Sequence, residues 1–182
     1  MATTELIRTA KIKDVPMILD IYSYYVNNAT ITFEIIPPAI EEMNRRVMET
    51  LKTFDWIVYE YNKAIVGYAY YSKFRERKAY DYSCETTIYV HKDFTGKGIG
   101  SALYGQLISN LKKTSKAVAI GGISLPNEAS IRLHEKFGFK NVGIFRNIGR
   151  KFNKWIDVGF WELELKNSSE YNPETESPTQ TR

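Results

Sequence analysis

The densest chemistry in the chain lies in the run Tyr89-Val90-His91-Lys92-Asp93-Phe94-Thr95-Gly96-Lys97-Gly98-Ile99-Gly100-Ser101. A β-rich segment enters a turn that holds three glycines, and an apolar helical repeat leaves it. Glycine lets the backbone come close to a ligand and aim successive N–H groups at one point. The helix N-terminus that follows adds partial positive charge. Together these features form a cradle for a pyrophosphate; on the residues alone, a tight turn without a ligand stands beside that reading. Two well-known cradles do not fit. A Walker A loop needs Gly-Lys followed by Ser or Thr, and here Lys97 is followed by Gly98. A dinucleotide fingerprint needs Gly-x-Gly-x-x-Gly with an acid about 20 residues on. Here Gly100 comes one residue early, and the stretch near Ile120 has no acid.

Other chemistries are excluded by composition. The one cysteine, Cys84, rules out a disulfide framework and a multi-cysteine zinc site. The two histidines, His91 and His134, are too few for a His-rich cage, so no metal is expected. Cys84 falls in an apolar run beside Glu85, and in a regular strand the two point to opposite faces. Cys84 therefore reads as core and not as a nucleophile.

The elements that must position these residues alternate between strand and helix. Leu6 to Thr9 is a short strand. Asp14 is placed to cap a helix carrying Ile18, Ile21, Tyr22 and Tyr25 on one face. Pro37-Pro38 is expected to start a second helix, with Ile40, Met43, Val47 and Leu51 at helical spacing. Trp56 to Tyr61 and Ala64 to Tyr71 form a hairpin across Asn62-Lys63. After a charged loop from Ser72 to Tyr80, Tyr82 to Val90 is a strand. Ser101 to Lys112 is a helix with Leu103, Leu107 and Leu111 inward. Ala117 to Ser124 is a strand, and Asn127 to Phe137 a helix ended by Gly138. Val142 to Phe152 and Val158 to Leu165 close the pattern as strands. The order β-α-α-β-β-β-α-β-α-β-β predicts an α/β fold with a mixed sheet flanked by helices.

The chain has 182 residues, 43% of them apolar, which suits one domain with a real core. That domain is expected over residues 1–166. Residues 167–182 are polar, contain two prolines and read as a flexible tail. No apolar run approaches the roughly 18 residues of a spanning helix, so no membrane partner is expected. Met1 to Arg8 has no signal-peptide h-region, and a reducing cytoplasm is the expected location. The net charge is +4; Glu170, Glu174 and Glu176 against Arg182 give the tail −2, leaving +6 on the body. A basic body suits an anionic partner, such as a phosphate-bearing cofactor, or is simply a solvated mixed surface.

The run Thr95-Gly96-Lys97-Gly98-Ile99-Gly100 resembles the acetyl-CoA motif Gln/Arg-x-x-Gly-x-Gly/Ala of the GNAT superfamily of N-acetyltransferases, with Thr95 in the place of Gln or Arg. Asn127 through Phe139 resembles the second motif of that superfamily, in which an Asn and its helix flank the pantetheine arm. Phe74 through Val90, Thr32-Phe33-Glu34 and Gly149 through Trp161 resemble the phosphinothricin and methionine sulfoximine N-acetyltransferases, with Phe74 where those commonly carry Trp. The resemblance runs from about Ile7 to Leu165.

It implies a mostly antiparallel GNAT-type central sheet and acetyl-CoA as co-substrate, without a metal. By this resemblance Ile88, Tyr89, Val90, Thr95, Gly96, Lys97, Gly98, Ile99, Gly100 and Asn127 bind the cofactor. The Val90 N–H polarises the thioester carbonyl. The implied acceptor is the α-amine of a small amino-acid analogue, bound by Phe74, Arg75, Glu76, Glu85, Thr86 and Thr87. Such an amine is largely protonated near neutral pH and needs a base. Glu85, in an apolar strand, is the expected base, and partial burial would raise its pKa. Arginine suits a carboxylate or tetrahedral anion, which favours Arg75, Arg77 and Lys78 as a binding loop. His134 either assists catalysis or is a polar helix-face residue, and both readings stay open. Tyr89 and Tyr104 are candidates to protonate the leaving thiolate. The resemblance also implies a homodimer.

Three alternatives remain at this level. One is an N-acetyltransferase for protein N-termini, polyamines or aminoglycosides, of which the cationic acceptors favour an acidic pocket. A second is a basic nucleic-acid-binding module, which needs its charges on one face and no cofactor cleft. The third is a cofactor sensor without catalysis. With a small-molecule acceptor, no nucleic-acid partner is expected.

Overall fold

Side-chain alternation along the second strand decides how the molecule is layered. In the computed structural model, which describes residues 4–166, Trp56 and Val58 face one pair of helices while Ile57 and Tyr59 face another. The tail expected over 167–182 lies outside the described residues. The elements are β1 (Glu5–Thr9), α1 (Val15–Asn28), α2 (Ile40–Thr50), β2 (Trp56–Tyr61), β3 (Ala64–Lys73), β4 (Ser83–Val90), α3 (Ile99–Leu111), β5 (Val118–Leu125), α4 (Glu128–Lys136), β6 (Lys140–Lys151) and β7 (Lys154–Glu164). The seven strands form one sheet in the order β1-β2-β3-β4-β5-β7-β6. Every neighbouring pair is antiparallel except β4 and β5.

On one face α1 and α2 bury Val15, Ile18, Ile21, Val26, Met43 and Val47 against Trp56, Val58, Ile65 and Tyr68. On the other, α3 buries Leu103, Leu107 and Leu111 against Ile57, Val66, Ala69, Tyr71 and Cys84. The leucine stripe thus packs as its spacing predicts. The β2–β3 turn is the predicted one: Asn62 and Lys63 both take positive φ, 48° and 69°.

Four boundaries differ from the sequence reading. Asp14 sits at the N-terminal cap position of α1 but makes no cap bond there. Its carboxylate, 1% exposed, accepts instead from the Arg8 guanidinium at 2.6 and 2.9 Å and from the Lys11 N–H at 2.7 Å. Arg8 also holds Glu60 at 2.7 Å, so one guanidinium ties β1 to β2 and to the start of α1. Pro37-Pro38 does not start α2; Ala39 is still extended and the helix begins at Ile40. A residue before proline is driven out of the helical region, and the second proline does this to the first. α3 begins at Ile99 and not Ser101, because Gly98 takes a φ of 83° and lets the chain turn straight into the helix. The last two strands meet in a hairpin: Phe152 and Asn153 both have positive φ, 50° and 58°, so Lys154 to Asp157 is strand and not loop.

Candidate active site

β4 and β5 pair over only three residues, Ser83↔Val118, Cys84↔Ala119 and Glu85↔Ile120. Beyond that point they part, β4 running on to Val90 and β5 to Leu125. The parting opens a cleft of about 710 Å³, lined by Glu85 to Val90 on one side and by Gly122, Ile123, Ser124, Asn127 and α4 on the other. Glu85 is at its apex and the glycine turn at its mouth.

The open edge of β4 presents backbone. His91 donates its N–H to Val66 O on β3 at 2.8 Å. In an antiparallel pair such contacts alternate, so Val90 and Ile88 turn their N–H and C=O groups to the other edge, into the cleft. The Val90 carbonyl accepts from the Tyr25 hydroxyl at 2.5 Å, which pins the end of the strand.

At the mouth, Gly96 and Gly98 have φ of 75° and 83°, a conformation that side chains other than glycine resist. The first helical bond of α3 runs from the Ala102 N–H to Gly98 O at 3.0 Å. The N–H groups of Ile99, Gly100 and Ser101 therefore precede the helical ladder, with the helix dipole behind them, an arrangement suited to an anion. The side chains of the turn fold back on the turn itself. Thr95 Oγ1 donates to Lys92 O at 3.1 Å, and Lys97 Nζ donates to Asp93 O at 2.8 Å while lying over the Phe94 ring. The cradle is made of backbone. Asn127 caps α4, its Oδ1 accepting the Ser130 N–H at 3.2 Å, on the opposite wall.

Glu85 shares its sheet face with Thr87, which lies directly opposite Tyr70 on β3. Across the apex it meets bare backbone: a Cβ on Gly122 would lie 3.2 Å from Glu85 Oε1. Burial pushes the Glu85 carboxyl above its ordinary range, and the Arg75 charge pulls it back only in part. The guanidinium of Arg75 packs on Phe74, 4.8 Å from the ring centroid, and Phe74 meets Tyr80 edge-on.

The expected site residues separate into groups. Glu85 and Thr87 share one face of β4, and the Arg75 charge reaches Glu85. Thr86 faces away; its buried hydroxyl bonds to the Tyr104 hydroxyl at 2.7 Å and to Ile120 O at 3.2 Å. Glu76 is 97% exposed and reaches only Lys73, at 4.0 Å. His134 is 4% exposed and packs on Gly121, where a Cβ would overlap its ring. Gly121 and Gly122 face opposite sides of β5, so His134 and Glu85 flank the cleft from opposite faces of the sheet. His134 Nδ1 lies 2.8 Å from Ser130 O and so carries the proton; burial lowers its pKa and keeps the ring neutral. Tyr104 is fully buried between His134 and Phe139. Tyr89 packs among Tyr22, Tyr25 and Tyr68. Cys84 is buried as expected, its thiol pushed up to about 12 by desolvation.

The sequence reading missed Tyr70, Gly121 and Gly122, and the charged loop partners. Glu34 pairs with Arg46 at 2.5 Å, and the buried Lys151 donates to Thr32 O at 2.9 Å. The Gly121-Gly122 pair inside a β-rich run was the available signal, because glycine within a strand marks close approach of another group.

Residues 7–159 match the Acetyltransferase (GNAT) domain, and the chain belongs to this family of acetyltransferases. It is 38% identical over 157 residues to a phosphinothricin N-acetyltransferase of Streptomyces coelicolor, covering 84% of this chain and 92% of that protein. It is 32% identical over 163 residues to an L-methionine sulfoximine/L-methionine sulfone acetyltransferase of Pseudomonas aeruginosa, covering 87% of this chain and 94% of that one. A GNAT superfamily phosphinothricin acetyltransferase from Sinorhizobium meliloti, solved in complex with AcCoA, superposes with a TM-score of 0.89 at 32% identity and 93% coverage of each chain. Among the described residues, no helix is long and apolar enough to cross a membrane.

Proposed function

We propose that the chain transfers an acetyl group from acetyl-CoA to the α-amine of a small amino-acid analogue of the phosphinothricin or methionine sulfoximine type. One observation carries this: a part-buried carboxylate, Glu85, stands at the apex of a cleft whose mouth is a backbone anion cradle. The cradle fits a pyrophosphate, since a Cβ on Gly96 or Gly98 would meet no protein atom within 4 Å and would project into open space. Gly96, Gly98, Ile99 and Gly100 hold the pyrophosphate, and Ile88, Val90 and Asn127 hold the arm. When bound, acetyl-CoA supplies the acyl carbon as a thioester. Glu85, directly or through water, takes the proton from the acceptor ammonium, and its raised pKa brings it nearer to the amine's. The cleft-facing N–H groups of β4 stabilise charge developing on the carbonyl oxygen. Cys84 is no acyl carrier: its thiol is buried on the far face and stays protonated. Arg75 recognises an anionic group of the acceptor.

The protein is also proposed to act as a homodimer through β6. That edge strand, its turn and the start of β7 expose Ile144, Phe145, Ile148, Phe152 and Trp155, the last at 64%. Monomeric proteins seldom leave such a patch open beside an unpaired strand edge.

Two measurements test the activity. Acetyl-CoA at 100 times its dissociation constant should stabilise the fold by roughly 2.7 kcal/mol on heating. Thiol release should then rank phosphinothricin and methionine sulfoximine above spermidine and a peptide N-terminus. An unmoved melting temperature in millimolar acetyl-CoA overturns the cofactor assignment; a preference for spermidine or peptide overturns the amino-acid assignment.

A further inference from the structure

Only two buried side-chain polar atoms among the described residues lack a hydrogen-bond partner, and one of them is Ser124 Oγ. The other, Trp56 Nε1, belongs to a ring stacked on Tyr70 deep in the sheet. Ser124 is different because it lines the active-site cleft while only 8% exposed. A buried hydroxyl left unpaired costs about as much as a lost hydrogen bond, so a partner from outside the protein is the natural complement.

Its place on β5 says which ligand that is. Ala119, Gly121 and Ile123 turn to α3 and α4, as their packing on the core and on His134 shows. Ile120, Gly122 and Ser124 therefore turn to the face that carries Glu85. Gly122 touches Glu85, and Ser124 is two residues further on, about 7 Å along the strand. Opposite them on β7 are Phe160 and Val158, both apolar. Glu85 and Ser124 thus stand at the two ends of a short stretch with no other side chain between them on β5. An α-amino acid, with a hydrogen bond of about 2.8 Å at each end, spans that stretch.

We propose that Ser124 determines specificity by donating its hydroxyl to the α-carboxylate of the acceptor while Glu85 takes the amine. Arg75, approaching from the opposite strand's loop, is then left for the polar tip of the side chain. A simple amine leaves Ser124 unpaired and is discriminated against, because an empty buried donor is a standing penalty. The inference rests on the proposed acetyl transfer to an amino acid and deepens it.

The test compares wild type with Ser124→Ala. Because the hydroxyl is buried and bonds nothing within the protein, the variant should melt at or above the wild-type temperature and show the wild-type shift with acetyl-CoA. Its kcat/KM for methionine sulfoximine should fall about tenfold to hundredfold through KM, the size expected for one hydrogen bond to a charged group. The amine that lacks the carboxylate of methionine sulfoximine, used as a competitor, should inhibit both proteins with the same constant. An unchanged KM for methionine sulfoximine overturns the assignment. So does a rise in the acetyl-CoA KM, which would give Ser124 to the arm instead, or an equal loss for the amine competitor. In each of these cases, wild-type acetylation of methionine sulfoximine leaves the parent activity standing. If wild type acetylates no amino acid, both readings fall.

Discussion

Replacing Glu85 by glutamine separates the chemistry from the fold. The amide keeps the shape of the side chain against Gly122 but cannot take a proton. The α-amine of a free amino acid is almost wholly protonated at pH 7, so the small neutral population alone slows the variant. Loss of proton transfer in the transition state raises the total to about 10² to 10⁴-fold in turnover. The residual rate should climb steadily above pH 7 as the ammonium loses its proton, and level off only once the amine is mostly neutral. Wild type should instead show an acid limb set by Glu85, lying above the ordinary 4.5 because burial raises that pKa. The same shift makes a stability prediction. Glu85 holds its proton to higher pH in the fold than in the unfolded chain. Its contribution is therefore favourable below the unfolded value of 4.5 and is lost as pH rises through the folded value. Glu85→Gln should thus melt higher than wild type at pH 7, and this advantage should shrink toward zero at acid pH. The assays are thiol release across pH with methionine sulfoximine and a melting series over the same range. Wild-type turnover at pH 7, or an active variant that keeps the acid limb, would remove Glu85 as the base.

Gly98→Ala should lose about 1–2 kcal/mol of stability to the left-handed backbone at that position, and should no longer gain from acetyl-CoA on heating, since its Cβ enters the cradle. Arg75→Ala should lower kcat/KM for methionine sulfoximine about tenfold to hundredfold, with the acetyl-CoA constant unchanged. It should also shift the acid limb to higher pH, because the charge that pulls Glu85 down is gone; a pH profile that stays put contradicts the placement of Arg75 beside Glu85. Light scattering should find twice the chain mass for wild type and the chain mass for Phe145→Asp combined with Trp155→Glu, whereas a monomeric wild type at micromolar concentration rules out the β6 interface.

Much of the scaffold was legible because it is written locally. The leucines of α3 repeat at helical spacing, and the hairpin turn falls on Asn62-Lys63. The order of elements along the chain follows from which segments are β-rich and which have helical spacing. The errors fell where local signals conflict with distant partners. Asp14 has the residue type of a helix cap, yet Arg8 from β1 claims its carboxylate. Phe152-Asn153 carries none of the glycine that marks a two-residue hairpin turn, so the strand on its far side read as loop.

The site was only half legible, and the reason is parity. The glycine turn is local: it bares consecutive backbone N–H groups, which a contiguous motif specifies. The face that carries Glu85 is not local, because it is set by the register of β4 on β5. Three paired residues, ending at Glu85↔Ile120, decide that Gly122 meets Glu85 and that Gly121 meets His134. A slip of one residue would exchange the faces of the two glycines and bring each under the wrong side chain. Both glycines are therefore needed, one for each face: a side chain at 121 would displace the His134 ring, and one at 122 would crowd the Glu85 carboxylate. The short pairing has a second consequence. Each added pair would close the cleft by one residue, and each lost pair would free the strand ends that aim Glu85 and the β4 edge at a common point. The run of β4 from Glu85 to Val90 sets the distance between the Glu85 carboxylate and the glycine turn, and the length of the parallel ladder sets where the cleft between them opens.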